Sequence, residues 1–522
     1  MASEADAART GVTSPPAPPS TDESIRRHIR GSSLLLTGQG ISLGVAFVTQ
    51  VVIVRYLTKE DYGAFAYALS IAMVARIIAG FGFPRAVSRF VPIYDERAEY
   101  NSVFGTIFLA LGAITALGTL LIATAFGVLG LFGSSLLGDP TVRSLLMVLI
   151  FLAPLQALDD LLISLFAFLT RPRAIFFRTY VLAPALKLAV VLLLVLTGSS
   201  VEFLAAGYVA AAALGVGIYT VILIRALHTA GLLERLSFPS LSVPTRTILL
   251  FSIPLLTTDL LYVVMESSDV ILLGHFKGTT EVAALRVVQP TARLNEIVFA
   301  SFTLLFTPLA ARFFSRGDQK AIGDLYWQTA AWIAVISFPI FAFTFAMSQP
   351  LTTGLFGSRY SSSATYLALL SCGYYMQAAL GFNGTTLMVF GKIRYVMGVN
   401  LCAVLVNLVL NLALIPRYGA LGAAIGTTTT LVLHNLFKQI GLRAGTGVSF
   451  FDSRYLRVYI SIAAVTAVLL AVHSQLTAPL PAAAVVVVAS VLVVTLNRRI
   501  LRVGHMFPEL SRLPFGRWLT GR

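Results

Sequence analysis

Hydrophobic positions along this chain come in long unbroken runs and not in short alternating or strictly amphipathic stretches. Residues 31–54, 203–224 and 395–416 each contain no Asp, Glu, Lys or Arg, and a helix needs about 20 apolar residues to cross about 30 Å of hydrocarbon. Runs of this kind predict spans near residues 32–54, 62–84, 102–132, 144–169, 175–197, 203–224, 247–273, 282–311, 327–348, 363–390, 395–415, 418–437, 458–474 and 480–497. The expected fold is therefore all-α: a polytopic membrane protein of about fourteen transmembrane helices. No connection between spans exceeds roughly two dozen residues, so there is no room for an independent catalytic domain, and function must reside among the helices.

Composition agrees. Of 522 residues 57% are hydrophobic and 12% charged, against roughly 45–50% and about 25% in soluble chains. The formal charge of +15 is scattered over short loops and forms no stripe for nucleic acid. It fits the excess of Lys and Arg on cytoplasmic loops: with both termini cytoplasmic, only Arg55, Lys59, Arg143, Lys277, Arg359 and Arg417 fall outside, and Arg76, Lys187, Arg286 and Arg293 fall within spans. The expected location is a cell inner (plasma) membrane. Residues 1–30 read as a disordered cytoplasmic tail without a secretory signal. The two cysteines, Cys372 and Cys402, lie in apolar runs and suggest no disulfide or metal framework.

Enzyme motifs are missing. There is no Walker A sequence, HExxH, GxSxG or CxxC arrangement, and the six histidines are dispersed; neither catalytic residues, a cofactor nor a metal is expected. His434 reads as a packing residue. What the sequence offers instead is charge at membrane depth: besides the four cations, Asp159, Asp160, Asp259, Glu266, Asp269 and Glu296 lie within spans. Each would cost about 2.5–3.5 kcal/mol facing lipid, so they must face one another or a wet cavity. Asp259 and Glu266 on one span, and Arg286 and Arg293 on the next, are each seven residues, or about two turns, apart. Folding this hairpin about Lys277 predicts pairs Glu266–Arg286 and Asp259–Arg293, with Gln289 and Glu296 extending the stripe. Two readings stay open, structural ion pairs or a cavity whose arginines receive an anion bidentately. Lys187 and Arg76 are too deep to snorkel, and Asp159 and Asp160 are either partners for Lys187 or a cation-coupling site.

The chain also divides into like halves: an expected six-helix bundle at 31–224, a basic cytoplasmic linker at 225–246, a second bundle at 247–440, two additional spans at 441–497 and a basic cytoplasmic tail at 498–522. VIVRYLTKEDYG near 52–63 parallels VILLGHFKGTTEVA near 270–283, which sets Arg76 and Arg293 at similar positions in a design of two bundles around a midplane site. VRYLTKEDYGAFAYALS at 54–70, GFGFPRAVSRFVPIY at 80–94, SIPLL at 252–256 and SDVILLGHFKG at 268–278 carry a resemblance. LFGSRY at 355–360, NGTTLMVFGKIR at 383–394 and NLVLNLALIPRYGALGAAIGTT at 407–428 strengthen it. Over residues 30–440 the sequence resembles the prokaryotic oligosaccharide flippases of polysaccharide biosynthesis, O-antigen flippases among them, within the multidrug/oligosaccharidyl-lipid/polysaccharide superfamily.

That resemblance implies an alternating-access carrier, not an enzyme. It would move a polyprenyl-(pyro)phosphate-linked oligosaccharide from the cytoplasmic to the outer leaflet for cell-surface polysaccharide, lipopolysaccharide or other glycan synthesis. Its partners are the lipid-linked substrate, membrane lipids and, left open, H+ or Na+. Carried onto this sequence, the anionic head would meet Arg76, Lys187, Arg286 and Arg293, with Asp159, Asp160, Asp259, Glu266, Asp269 and Glu296 as coupling or structural acids. Two alternatives remain: a cation-coupled drug antiporter of the same superfamily, which would want an acidic cavity, and a membrane glycosyltransferase or ligase, which would want a sizeable outer loop.

Overall fold

The computed structural model describes residues 21–501 apart from 170–171, 238, 240 and 473–478, with backbone only at 21–37, 134–136, 172, 304–305 and 479. Every described regular element is a helix. The first half comprises α1 (Thr21–Tyr56), α2 (Lys59–Gly80), α3 (Phe83–Glu96), α4 (Tyr100–Leu136), α5 (Pro140–Leu149), α6 (Leu152–Phe168), α7 (Pro172–Phe176), a π-helical turn (Phe177–Leu182), α8 (Ala183–Thr197) and α9 (Val201–Thr229). The second half follows as α10 (Thr245–Lys277), α11 (Thr279–Arg286), α12 (Gln289–Arg293), α13 (Ile297–Ser315), α14 (Gln319–Phe341), α15 (Ser348–Phe356), α16 (Ser363–Leu380), α17 (Phe382–Val389), α18 (Ile393–Tyr418) and α19 (Ala420–Thr446). Two more helices, α20 (Leu456–Val472) and α21 (Pro479–Asn497), pack on α14.

Local chemistry sets the helix boundaries. Thr58 caps α2 by accepting from the Asp61 amide, with Glu60 and Asp61 in the first turn; both features satisfy orphan N–H groups and suit the helix dipole. Asp139 and Asp318 cap α5 and α14 in the same way. Between α2 and α3 the backbone turns left-handed at Phe81 and Gly82, and Pro84 restarts the helix in its first turn.

Among the described residues, twelve helices are long and apolar enough to cross a membrane, and the bent pair Thr279–Thr303 and Phe306–Ser315, taken as one span, makes a thirteenth. The expected count of about fourteen differs by the span at 363–390. There the helix breaks at Gly381 between α16 and α17 and carries the buried polar residues Ser363, Ser371, Asn383 and Thr386 beside the exposed Met376 and Met388, so the stretch is shorter in its straight pieces and less uniformly apolar than the other spans. The first helix begins at Thr21, ahead of the boundary at 30 expected for the N-terminal tail, because residues 21–30 join α1 without a breaker. Residues 1–20 of that tail and 502–522 of the basic C-terminal tail lie outside the described residues.

The apolar core is divided unevenly. At the end of the molecule holding the α1–α2 and α10–α11 connections, called here the far end, one core contains residues from both halves: Leu57, Tyr62, Phe65, Val270, Leu273, Val282 and Tyr360. Toward the near end, where the described chain starts and stops, a core around Phe83, Phe104, Phe166 and Tyr219 of the first half also buries Ile248 from the start of α10. The second half has another there, around Trp327, Phe338 and Phe382, to which α20 and α21 contribute. The halves share one core at the far end and meet at the near end through the start of α10.

The far seam is tight because side chains and backbone interlock. A Cβ on Gly63 would lie 1.9 Å from the Thr279 carbonyl oxygen, so α2 and α11 touch backbone to backbone there. Arg55, ending α1, donates to the carbonyls of Gly354 and Leu355 that end α15, and Arg359 donates back to those of Val54 and Arg55. Two helices from opposite halves thus cap each other's unpaired carbonyls. At the near end a Cβ on Gly82 would lie 2.9 Å from the Ser252 carbonyl oxygen of α10, the Arg85 and Asp259 side chains pair at 2.6 Å and Arg89 lies over the Phe251 ring.

Candidate functional site

In the first half, the intramembrane charges meet on α2, α6 and the start of α8. Arg76 holds Asp160 through both Nε and Nη2, at 3.0 and 2.7 Å. Each side chain keeps about a third of its surface accessible, 34% and 33%. The neighbouring Asp159 binds Arg178, Nη2 to Oδ1 at 2.7 Å. Arg178 stands near the start of the span expected at 175–197, and it is buried, at 5% exposure. The π-helical turn Phe177–Leu182 adds a residue to the turn, and Gly215 leaves the guanidinium room that a Cβ would take, 2.9 Å from Nη2. Lys187 consequently partners neither aspartate. Its ammonium stands 5.7 Å from the Tyr208 ring centroid, with no carboxylate within ion-pair distance among the described residues.

In the second half the hairpin closes in a different register from the one expected. Arg293 pairs with Glu266, Nη1 to Oε2 and Nη2 to Oε1 both at 2.9 Å, and its Nε donates to the Tyr374 hydroxyl at 3.0 Å. Arg286 instead donates to Gln289, which donates to the buried Asp269 carboxylate at 2.5 Å. Asp259 leaves the hairpin altogether and takes Arg85 of the first half. The pairs Glu266–Arg286 and Asp259–Arg293 are therefore replaced, and the cause is geometric. The helix after Lys277 is not continuous: it breaks between α11 and α12 and again at the 3-10 turn Leu294–Glu296, which shifts the register that two straight helices would share.

A cavity of about 400 Å³ opens beside this cluster, between α10, α12, α16, α18 and α19. Glu266, Asp269, Gln289, Arg293 and Glu296 line one side, and Glu296 accepts from Gln377. The opposite side carries Asn400, Asn407, His434 and Lys438, with a His434 ring nitrogen 2.8 Å from the Asn400 oxygen. This cavity lies inside the second bundle, not between the two as a single central chamber would. Its lysine had been missed: the span ending at 437 put Lys438 in a loop, whereas α19 runs on to Thr446 and carries it inside. Among the described residues no group of three or more His, Cys, Asp or Glu is placed to hold a metal ion.

The two clusters follow one plan. Each half places an arginine on its second span against a polar side chain of its fourth, Arg76 on Asp160 and Arg293 on Tyr374. Neither guanidinium is sealed, since each keeps 34% of its side-chain surface accessible.

Comparisons with known proteins fit this architecture. The profile of a family described as "Polysaccharide biosynthesis protein" matches residues 28–314, more than half of the chain, and that of the MatE family matches residues 254–413. The succinoglycan biosynthesis transport protein ExoT of Rhizobium meliloti (strain 1021) is 23% identical over 355 residues, 67% of this chain and 66% of that protein. The match thus falls just short of two thirds of that relative's length. The probable low-salt glycan biosynthesis flippase Agl15 of Haloferax volcanii is 20% identical over 182 residues, 35% of this chain and 39% of that protein. Among solved structures, the lipid II flippase MurJ in an inward closed conformation superposes with a TM-score of 0.68 at 12% identity, covering 91% of this chain and 99% of that one.

Proposed function

We infer what this chain carries from one premise: it belongs to the polysaccharide biosynthesis protein family. It is a multi-pass membrane protein, and in our reading a flippase that takes a polyprenyl-(pyro)phosphate-linked oligosaccharide from the cytoplasmic to the outer leaflet of the plasma membrane. A relative named for succinoglycan transport and another named a glycan flippase support this substrate class. The observation that carries the mechanism is the pair of half-open arginines, Arg76 and Arg293, one in each half and each steadied by a carboxylate. A guanidinium already oriented by one carboxylate still has N–H donors to spare for phosphate oxygens, so a phosphate head can be met without first uncovering a buried charge.

In this reading the near end faces the cytoplasm. The head enters from that end, with Arg76 and Lys187 of the first half and Arg293 beside the second-half cavity in reach and Arg286 behind Gln289, while the isoprenoid tail stays in lipid. Releasing the Arg85–Asp259 contact and parting the far seam would then expose the head to the other side. An interior-negative potential assists outward movement by about 2.3 kcal/mol per charge per 100 mV, so no nucleotide is required. Glu266, Asp269 and Glu296 beside the cavity are placed for a coupling H+ or Na+, while Asp159, Asp160 and Asp259 serve as structural partners.

A deletion strain tests the reading: lipid-linked oligosaccharide should accumulate facing the cytoplasm. Unextended sugar precursors would mean an enzyme instead. The MatE match over residues 254–413 and the acids of the cavity favour one rival, a cation-coupled antiporter. That rival predicts unchanged head-group distribution and increased sensitivity to cationic drugs on deletion.

A further inference from the structure

At the near end of the last two helices, three guanidiniums surround a hollow of about 260 Å³: Arg457 from α20, and Arg498 and Arg499 just past α21, with Thr495 and Leu496 completing the lining. Arg55, Arg76, Arg85, Arg178, Arg293 and Arg359 each meet a carboxylate or a backbone carbonyl, and Arg454, on the same connection, meets Asp452 and Asp324. Arg457 and Arg499 have no ion-pair partner among the described residues. Helix dipoles account for only part of the cluster. Arg498 and Arg499 follow the carboxyl end of α21, where a cation is favoured, but Arg457 sits in the first turn of α20, where the dipole opposes it. Arg457 is exposed, so its charge is open to an anion from outside the helix.

The surface beneath the hollow shows what that anion belongs to. Leu456 and Ile460 on α20, and Val488, Leu492 and Leu496 at four-residue intervals on α21, are all exposed, and four-residue spacing keeps them on one helix face. Three cations thus stand at the rim of an apolar surface, at the level where a span of this length leaves the hydrocarbon. We propose that this hollow is a binding site for the phosphodiester of an anionic glycerophospholipid, whose acyl chains lie along the exposed stripe of α20 and α21. A guanidinium cluster recognises phosphate oxygens by paired N–H donors, and near an anionic leaflet each such charge contributes about 1 kcal/mol. The site is separate from the Arg76 and Arg293 clusters and does not rest on the transport reading.

The test uses the full-length protein in nanodiscs of phosphatidylcholine containing a minor fraction of phosphatidylglycerol, with retained lipid counted by native mass spectrometry after extraction into neutral detergent. The wild type should retain phosphatidylglycerol selectively. The R457Q/R499Q variant should bind it about thirtyfold more weakly, the fold-change that two such charges imply. R457K/R499K, which keeps the charge but not the forked donors, should fall between them, and an unchanged gel-filtration profile will show that the variants fold. Equal retention by wild type and R457Q/R499Q would overturn the proposal. So would protection against thermal unfolding by inorganic phosphate with no selective retention of phosphatidylglycerol, since the site would then serve free phosphate.

Discussion

Arg293 shows how a single side chain can be both anchored and available. Glu266 and Tyr374 fix its guanidinium, yet 34% of the side chain remains accessible beside a cavity of about 400 Å³. Removing one partner should leave the other charge uncompensated: Arg293→Met is expected to cost about 1–3 kcal/mol, less than for a fully buried pair because both groups are partly solvated. Arg293→Met/Glu266→Met should recover most of that stability in thermal unfolding while transport stays lost. Full transport by the double variant would reduce the pair to helix glue. The depth and sign of these charges were legible in the sequence because intramembrane charge is costly wherever it occurs. Their partners were not: the breaks flanking α12 shift the hairpin register, the π-helical turn carries Arg178 inward to Asp159, and the extra turns of α19 bring in Lys438.

Between helices, backbone contact and capping hold the far seam, since apolar burial alone drives little association in lipid. Gly63→Val would place side-chain atoms where the Thr279 carbonyl stands. It should therefore separate α2 from α11. The checking measurement is disulfide formation between cysteines at Glu60 and Thr280, whose side chains meet at 3.3 Å, with Cys372 and Cys402 replaced by serine. Cross-linking should drop at least about tenfold with Gly63→Val, and unchanged yield would show that the seam tolerates the branch. A second element-level expectation concerns the α19–α20 connection, where hydrogen bonding to Arg454 holds the Asp452 carboxyl below the usual carboxylate range. A depressed folded-state value stabilises above the unfolded pKa, and that contribution disappears as pH falls through the folded value. Thermal stability should therefore drop on acidification more steeply in the wild type than in Asp452→Asn. At this scale the sequence was most readable where runs were uniformly apolar and least so at 363–390, where polar residues interrupt the run and the helix breaks at Gly381.

For the molecule as a whole, one core shared by both halves at the far end, against near-end cores that meet at the start of α10, describes two halves joined more extensively on one side than on the other. The repeat that aligned Arg76 with Arg293 was visible in sequence. The division of the charged residues between two bundles was not, because it depends on which faces the bent helices present. Locking the far seam by the 60–280 disulfide should stop transport, and reduction should restore it; transport through the locked seam would rule out rocking of the halves. The most direct test of the central claim is the rate at which the head group of a reconstituted polyprenyl-pyrophosphate-linked oligosaccharide reaches the opposite leaflet of proteoliposomes. We expect Arg76→Ala/Arg293→Ala to lower that rate at least about tenfold relative to wild type at equal protein incorporation. Head-group translocation undiminished in that variant would contradict the account.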